Sequence, residues 1–297
     1  MKILFVAVFD REGKSTNVSQ ILAFKKLGYD VVGYNYRQKG AQLGAHARDK
    51  DLVSLVEKRN FDLVIYSKCD GLSYECCRKI NEITTTCLWW MDPLSTLQNH
   101  PQIFERSNIV DYICTSVRNT VPVFKSRNKN TFYISEGFDQ FTDKPHNIEK
   151  DIDVVFIGSL HSGRQEVVKQ IRAPIMHVTD AYGSKHAKTV SRSKICLNFS
   201  TVGGASDRVF KTLAAKGFLL TSDWIGREED YDFIDGKDLV VFKDIDDLNQ
   251  KIKYYLNNSE ECNIISQSGY QKVQKFNRLE WAKKIIQFFK ETQNESN

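Results

Sequence analysis

The strongest constraint on the fold of this chain is the alternation of continuous apolar runs with amphipathic segments. In the first half, three amphipathic segments (17–29, 49–61 and 73–83) show helical spacing of their apolar residues. Continuous apolar runs separated by helices are typical of strands buried on both faces of a parallel sheet. We therefore predict an open Rossmann-like sheet in this half. Its predicted strands are KILFVAVF (2–9), DVVGYNY (30–36), DLVIYSK (62–68), TTTCLWWMD (84–92) and DYICTS (111–116).

The alternation lapses in the polar segment GFDQFTDKPHNIEKDI (137–152), which we interpret as a linker. It then restarts, with predicted strands at 153–160, 174–180, 194–200, 218–223 and 238–244. The fold class predicted is α/β, with two Rossmann-like domains facing each other across a cleft. The predicted domains are 1–145 and 146–275, followed by a C-terminal helix, 276–297, that is long enough to pack on the first domain.

Composition excludes several protein classes. Hydrophobic residues make up 41% of the chain, yet no apolar run approaches the roughly 20 residues of a membrane span. The apolar run at the N-terminus is about seven residues long and lacks a cleavage site, so we expect a cytoplasmic protein, in the host cytoplasm if it is viral. The seven cysteines form an odd set without C-x-x-C spacing. They predict reduced thiols and no metal site.

Two nucleotide-binding motifs are absent from the sequence. No G-x-G-x-x-G follows the first strand, which disfavours a nicotinamide or flavin enzyme. No G-x-x-x-x-G-K-[ST] is present, which disfavours a P-loop nucleotide hydrolase.

One predicted helix has its cations at an unfavourable end. In GGASDRVFKTLAAKG (203–217), Ser206 is a good N-cap and Gly217 ends the apolar periodicity. Arg208 and Lys211 therefore fall near the positive end of the helix dipole, where cations are disfavoured. A bound anion at this helix start would explain the placement.

The second half resembles the sugar-nucleotide-dependent glycosyltransferases of the GT-B fold. More narrowly, it is similar to the glycosyl-transferase-group-1 domain of the spore-maturation-type glycosyltransferases. The resemblance spans roughly 135 residues in family order, whereas the first half shares only its architecture and the segment WWMDP (89–93). It is carried by VVFIGSLHSGR (154–164), SKICLNFS (193–200), DRVFKTLAAKGFLLTSD (207–223), DLVVFKDIDDLNQKIKYYLNNSEE (238–261) and SGYQKVQKFNRLEWAKKIIQFF (268–289).

The resemblance implies a donor site for a nucleoside-diphosphate sugar, with a UDP-sugar as the expected donor and no metal or other cofactor required. The helix opened by Gly203, Gly204 and Ser206 would lie under the diphosphate, because backbone N–H groups at a helix start bind phosphate oxygens. Arg208 would add a bidentate pair, and Arg164 would approach the same diphosphate from the other side. The remaining expected donor residues are Gly158, Ser159, His161, Thr179 and Asp180.

Lys211 departs from the family pattern, which has a glutamate at this position to accept from the donor ribose hydroxyls. An ammonium group can only donate. Three interpretations stay open: the ribose is held differently, Lys211 joins Arg208 on the phosphates, or the donor site has degenerated. The last interpretation leads to an alternative function, a non-catalytic nucleotide- or sugar-binding protein that retains the GT-B shell.

Asp92 is the first candidate for the catalytic base. It follows a predicted strand and precedes Pro93, and a carboxylate there could take the proton of the acceptor hydroxyl. The alternative is a turn-forming aspartate before proline. Asp70 and Asp10 also follow strands and are further candidates.

The acceptor would bind to the first half, where Asp10, Arg37, Lys39 and Asp70 are the candidate residues. The net charge is +5, and residues 1–150 hold most of the excess, with 21 basic and 17 acidic residues. The predicted loop 35–50 and the stretch 116–130 are rich in Lys and Arg. Phosphate contacts of that kind would suit phage DNA with hydroxymethylated bases. Solvated basic loops, with a glycan, protein or small-molecule acceptor, are the alternative.

Overall fold

The structure is a computed structural model, and it describes residues 1–9, 15–161, 163–200, 206–223 and 233–296. It separates into two compact units. The first unit comprises Met1–Ser135 and Arg278–Asn297, and the second comprises Glu136–Asn277. The chain therefore passes from one unit to the other after Ser135 and after Asn277, whereas the sequence pattern suggested 145 and 275.

The first unit is built on a six-stranded parallel sheet of order β2-β1-β3-β4-β5-β6. Its strands are β1 Lys2–Ala7, β2 Asp30–Asn35, β3 Leu63–Ser67, β4 Thr85–Trp90, β5 Tyr112–Thr115 and β6 Thr131–Tyr133. The helices between and after these strands are α1 Thr16–Lys26, α2 Tyr36–Leu43, α3 Ala45–Arg59, α4 Tyr74–Asn81, α5 Leu94–Gln98, α6 Pro101–Ser107 and α7 Val121–Lys125.

The second unit contains a five-stranded parallel sheet of order β11-β10-β9-β7-β8. Its strands are β7 Ile152–Ile157, β8 Met176–Val178, β9 Ser193–Asn198, β10 Leu219–Ser222 and β11 Val240–Phe242. Its described helices are α8 Arg164–Lys169, α9 Ser184–Arg192, α10 Asp207–Ala214, α11 Ile245–Leu256 and α12 Ser259–Val273.

The C-terminal helix, α13 Arg278–Ser296, packs on the first unit. The Trp281 indole lies edge-on to Phe24 and Trp89, with ring centroids 5.4 Å apart in both pairs. Trp281 is 3% exposed, and the Tyr112 hydroxyl donates to the carbonyl of Ile285. The helix therefore completes the core on one face of the first sheet.

The hydrophobic core of the second unit lies on both faces of the five-stranded sheet. Phe156 and Leu197 are buried on one face, and Val155 and Cys196 are buried on the other. Helix α10 buries Val209, Phe210 and Leu213 completely. Its sequence explains this, because these residues recur at helical spacing and leave Asp207, Arg208 and Lys211 on the remaining face.

The predicted fold class is confirmed, since both halves form Rossmann-like parallel sheets covered by helices. One local prediction is wrong. The stretch 35–50, expected to be a basic loop, is largely helical and forms α2 and the start of α3. No helix in the described part of the chain is long and apolar enough to cross a membrane.

Candidate active site

The predicted donor residues that the structure describes gather at one edge of the second sheet. Strands β7, β8 and β9 are parallel, so their carboxyl ends lie on the same edge. In open parallel sheets this edge is where ligands bind. Gly203 and Gly204 lie outside the described residues. Those described at or near this edge are Gly158, Ser159, His161, Arg164, Thr179, Asp180, Ser206, Arg208 and Lys211.

Arg208 is held at this edge by uncharged partners. Its Nη1 donates to Oδ1 of Asn198 at 3.0 Å, and its guanidinium lies 5.0 Å from the ring centroid of Phe156. Burial, with a smaller contribution from the charge of Arg164, lowers the pKa of Arg208 to about 10. Within the described residues, Arg208 forms no ion pair. Its charge is therefore not compensated by any described acid.

Arg164, the first residue of α8, is held in the same way. Its Nε donates to the carbonyl of Phe199 at 3.2 Å, and its Nη1 donates to the carbonyl of Ser159 at 3.4 Å. Burial lowers the pKa of Arg164 as well. Two partly buried guanidinium groups that repel each other form a site that an anion would stabilise.

Gly158 makes room for Arg208. Its φ of +143° is a conformation that other residues rarely adopt, and a Cβ added here would lie 2.3 Å from Nη2 of Arg208. His177, whose ring stacks on Phe156, has its Nε2 2.7 Å from the carbonyl oxygen of Gly158. The glycine therefore lets the Arg208 side chain pass close to the backbone at the end of β7.

Lys211 interacts with an acid of its own helix. Its Nζ lies 3.0 Å from Oδ2 of Asp207, one turn earlier, and both side chains are about one fifth exposed (20% and 19%). Its charge also acts on Asp143 and on His186, two buried residues. Asp207, in the first turn of α10, is thus the favourable acid at the helix start that offsets Lys211.

Asp143 and His186 are buried polar residues beside α10 that the sequence did not single out. Asp143 is 2% exposed, and its Oδ1 has no hydrogen-bond partner among the described residues. Neither ring nitrogen of His186 has a described partner, and burial together with the charges of Lys211 and Arg208 lowers the pKa of His186 to about 3. No spacing in the sequence distinguishes such residues from exposed ones.

A second group of polar side chains lies at the carboxyl edge of the first sheet. The Tyr36 hydroxyl donates to Oδ1 of Asp70 at 2.5 Å, and Nη2 of Arg37 lies 3.5 Å from the same oxygen. Burial raises the pKa of Asp70, but the hydrogen bond from Tyr36 and the charge of Arg37 outweigh it, so the pKa lies below its ordinary value. Asp70 is thus held as a carboxylate.

The loop that carries Asp70 is strained. Lys68 and Cys69 have φ values of 60° and 57°, in the left-handed region that disfavours residues other than glycine. The buried Arg106 supports this loop, donating to the carbonyl of Lys68 at 2.8 Å and to that of Leu72 at 3.1 Å. Strain of this kind costs about 1–3 kcal/mol per residue and is concentrated at functional sites.

Asp92 follows β4 at the same edge of the first sheet. Its Oδ2 lies 2.5 Å from Nζ of Lys68, and its carbonyl accepts from the Trp90 indole at 2.6 Å. His100 and Gln102, which the sequence did not single out, lie beside the Asp70 loop. Nε2 of Gln102 donates to the carbonyl of Asp70 at 3.3 Å and is 3.2 Å from Nδ1 of His100.

The structure places neither of the other two predicted acceptor residues, Asp10 and Lys39, beside Asp70. Asp10 lies outside the described residues. Lys39 pairs with Asp51 of α3 at 3.5 Å rather than with Asp70. Arg48, part of the predicted basic loop, is buried against Asp49 at 2.6 Å. Much of the positive charge of residues 35–50 is therefore already matched by nearby acids.

The basic stretch 116–130 keeps exposed cations. Arg118 lies over the Tyr133 ring at 4.5 Å and Arg127 over the Phe104 ring at 5.0 Å, and Lys125 is exposed. Arg118 lies in a 3-10 turn after β5, Lys125 is the last residue of α7, and Arg127 follows that helix. All three side chains are exposed.

The seven cysteines all lie within the described residues, and none of them is in a disulfide bond. All seven are free and buried. Among the described residues, no group of three or more His, Cys, Asp or Glu side chains could hold a metal ion.

Comparison with known proteins relates the second unit to a known family. Residues 140–287 match the sequence profile of a family described as glycosyl transferase-like. This part of the chain is a glycosyl transferase-like domain. It covers most of the second unit, including α10 and the Arg164–Arg208 pair. The prediction of a glycosyltransferase is confirmed.

Solved structures show the same fold over the whole chain. HepE from Anabaena, in complex with UDP-glucose, is 11% identical with a TM-score of 0.74, over 98% of this chain and 100% of that one. Sucrose-phosphate synthase from Thermosynechococcus elongatus is 11% identical with a TM-score of 0.73, over 99% of each chain. A glycosyltransferase from Rickettsia africae is 12% identical with a TM-score of 0.68, over 98% of each chain. No curated protein is similar enough in sequence to count as a relative.

Proposed function

We propose that this enzyme transfers a sugar from a nucleoside-diphosphate sugar, with a UDP-sugar as the first candidate, to an acceptor hydroxyl. The observation that carries the proposal is the pair formed by Arg164 and Arg208. Both are partly buried, and within the described residues neither is paired with an acid. A diphosphate would supply the missing negative charge.

The chemistry that this pair would provide is stabilisation of the leaving group. When the bond between the sugar and the phosphate breaks, the nucleoside diphosphate gains negative charge. Guanidinium groups fixed in position before the reaction stabilise that charge without reorganisation. HepE, the structural neighbour described with UDP-glucose, supports UDP as the nucleotide to test first.

Donor binding is further assigned to the residues that surround the pair. Gly158 lets Arg208 approach the backbone, and the start of α10, with Gly203, Gly204 and Ser206, would face the diphosphate. The side chains exposed along the same edge would contact the sugar or the nucleoside; they are Ser159, His161, Thr179 and Asp180. Lys211 pairs with Asp207 and is given no role in donor binding in this proposal. No metal or other cofactor is assigned a role.

The acceptor is assigned to the first unit, where Asp92 would take the proton of the attacking hydroxyl. Lys68 would orient the Asp92 carboxylate, and Asp70 with Arg37 would bind the acceptor. The proposed compartment is the cytoplasm, which suits seven cysteines without a disulfide.

Phage DNA with hydroxymethylated bases is a second candidate acceptor, and it is supported by the exposed cations of 116–130. It predicts that the protein binds duplex DNA at low salt and that the affinity falls steeply as salt rises. Absence of binding at about 50 mM salt or below would exclude this acceptor. The comparisons lend no support to the alternative of a non-catalytic shell.

Transfer itself is tested by following nucleotide release from a panel of nucleotide sugars, with and without added acceptors. The proposal predicts slow release by water and faster release with a suitable acceptor, and both should be lost in Arg208→Met. Equal release by wild type and Arg208→Met would contradict the assignment of the donor site.

A further inference from the structure

We infer that the first unit binds a neutral, polyhydroxylated acceptor, a saccharide rather than a phosphorylated molecule, and that Asp70 with Tyr36 and Arg37 recognises it. This inference rests on the proposed function and names the acceptor class that goes with it. Four observations on the first unit lead to it.

The first observation is the position of these residues in the sheet. Strand β1 lies between β2 and β3, so the chain changes direction across the sheet at β1. Ligands of open parallel sheets bind outside the carboxyl ends of the strands at such a switch point. Tyr36 and Arg37 follow β2 and Asp70 follows β3, which places the three residues on either side of this point.

The second observation is that the Asp70 loop is held in a strained form. Lys68 and Cys69 both adopt positive φ, and the buried Arg106 donates to two carbonyls of the loop. A fold that needed only a connection from β3 to α4 would not require two strained residues in succession. The strained backbone presents Asp70 to the edge of the sheet.

The third observation is the balance of charge. Arg37 lies on Asp70 and Lys68 lies on Asp92, so both of these cations already have a carboxylate. An anionic acceptor bound here would have to displace one of those carboxylates. The edge of the second sheet differs, because Arg164 and Arg208 have no acid among the described residues.

The fourth observation is the kind of hydrogen-bonding group present. A carboxylate accepts from neighbouring hydroxyls, and a guanidinium or a tyrosine hydroxyl donates to them. Asp70 is 30% exposed and Arg37 is 61% exposed, so both can be reached. His100 and Gln102 add further polar atoms next to the Asp70 backbone. Such a set suits the hydroxyl groups of a sugar.

The test compares acceptors and Asp70 variants under the same donor conditions. The acceptor panel contains neutral mono- and disaccharides, their phosphate esters, and duplex DNA with hydroxymethylated bases. Wild type should glycosylate neutral saccharides. Asp70→Asn should raise the KM for the saccharide about 10- to 100-fold, because a neutral amide accepts weaker hydrogen bonds from the sugar hydroxyls than the Asp70 carboxylate does. Tyr36→Phe should raise it less.

The matched control is Asp51→Asn. Asp51 also accepts from a tyrosine hydroxyl, that of Tyr34 at 2.9 Å, and also pairs with a cation, Lys39, but it lies on α3 and outside the proposed site. This variant should leave the acceptor KM within about twofold of wild type, and UDP affinity should be unchanged in every variant. Thermal unfolding of each variant shows whether it is folded.

Two kinds of failure are separable. Absence of binding of UDP, GDP, ADP and CDP alike by the wild-type protein would overturn the proposed function and the inference with it. Intact UDP binding with transfer only to phosphorylated acceptors or DNA, or to no saccharide of the panel, would overturn the inference alone. An unchanged acceptor KM in folded Asp70→Asn would do the same.

Discussion

The two sheets of this protein have the same architecture and differ in the side chains that follow their strands. At the carboxyl edge of the second sheet, Arg164 and Arg208 are held by carbonyl and amide oxygens and have no acid among the described residues. At the corresponding edge of the first sheet, Arg37 and Lys68 each lie on a carboxylate. One edge therefore suits an anion and the other suits a neutral molecule.

This difference shows which features of a parallel sheet determine its ligand. The sheet fixes where the ligand binds, because all strands end on one edge. The pairing of charges at that edge decides the sign of the ligand. Substitutions that change the pairing should therefore change ligand binding in one unit and leave the other unit unaffected.

The largest effect is expected from Arg208→Met. Loss of this guanidinium should weaken UDP binding about 100-fold or more, because it removes charge-assisted hydrogen bonds to the diphosphate. Isothermal titration calorimetry measures the change. Arg172→Met is the control, since Arg172 is an exposed arginine of the same unit that pairs with Asp246. A similar loss in both variants would point to general charge rather than to a site.

A smaller loss, about 10- to 100-fold, is expected from Gly158→Ala. The added Cβ would meet Nη2 of Arg208 and displace the side chain, besides straining the backbone. Gly236→Ala separates the two effects, because Gly236 also has a positive φ of 74° but a Cβ there meets no atom within 4 Å. UDP affinity should fall in the first variant only. If Gly158→Ala bound UDP as tightly as the wild-type protein, the assignment of Arg208 to the donor site would be contradicted.

The free energy of unfolding of the second unit should depend on pH through His186. Its pKa is about 3 in the folded protein and 6.5 in its ordinary state, so between these values the unfolded chain binds a proton that the folded unit does not. Stability is therefore complete above pH 6.5 and falls as the pH decreases towards 3. The slope attributable to His186 approaches about 1.4 kcal/mol per pH unit.

Urea unfolding of wild type and His186→Gln between about pH 4.5 and 7.5 measures this slope by difference. The variant should lose stability less steeply below about pH 6. His46→Gln, which changes an exposed histidine of the first unit, should follow the wild type. If the free energy of unfolding of His186→Gln fell with pH as steeply as that of wild type, the lowered pKa of His186 would be contradicted.

The smallest effect is expected from Lys211→Met. Because Lys211 lies on Asp207, removing it should change UDP affinity by about threefold or less. A loss as large as that of Arg208→Met would show that Lys211 joins Arg208 on the phosphates. This result would restore one of the interpretations left open by the sequence.

The fold could be predicted from the sequence because its signal is local. Strands such as VVFIG and LVIYS are continuous apolar runs, and their alternation with helices indicates parallel sheets. Arg208 could also be singled out, because a cation at a helix start contradicts the local rule. A residue that violates a local rule can be recognised in a single sequence, without knowledge of the tertiary structure.

Pairing between distant residues could not be predicted in the same way. Residues 35–50 have four Lys or Arg residues and one acid, which suggested a basic loop, yet Arg37 and Lys39 meet Asp70 and Asp51. Helix α2 was missed because YRQKGAQL has no apolar stripe. The burial of His186 and the support of the Asp70 loop by Arg106 likewise depend on tertiary packing, which leaves no periodic pattern.

The most direct test of the donor site is a thermal-shift screen of the wild-type protein against UDP, GDP, ADP, CDP and their common sugar conjugates. A ligand that binds the folded state raises the unfolding temperature. We predict a clear rise with one nucleoside diphosphate and its sugar conjugates, with UDP first. No rise with any of them at millimolar concentration would contradict the presence of a donor site.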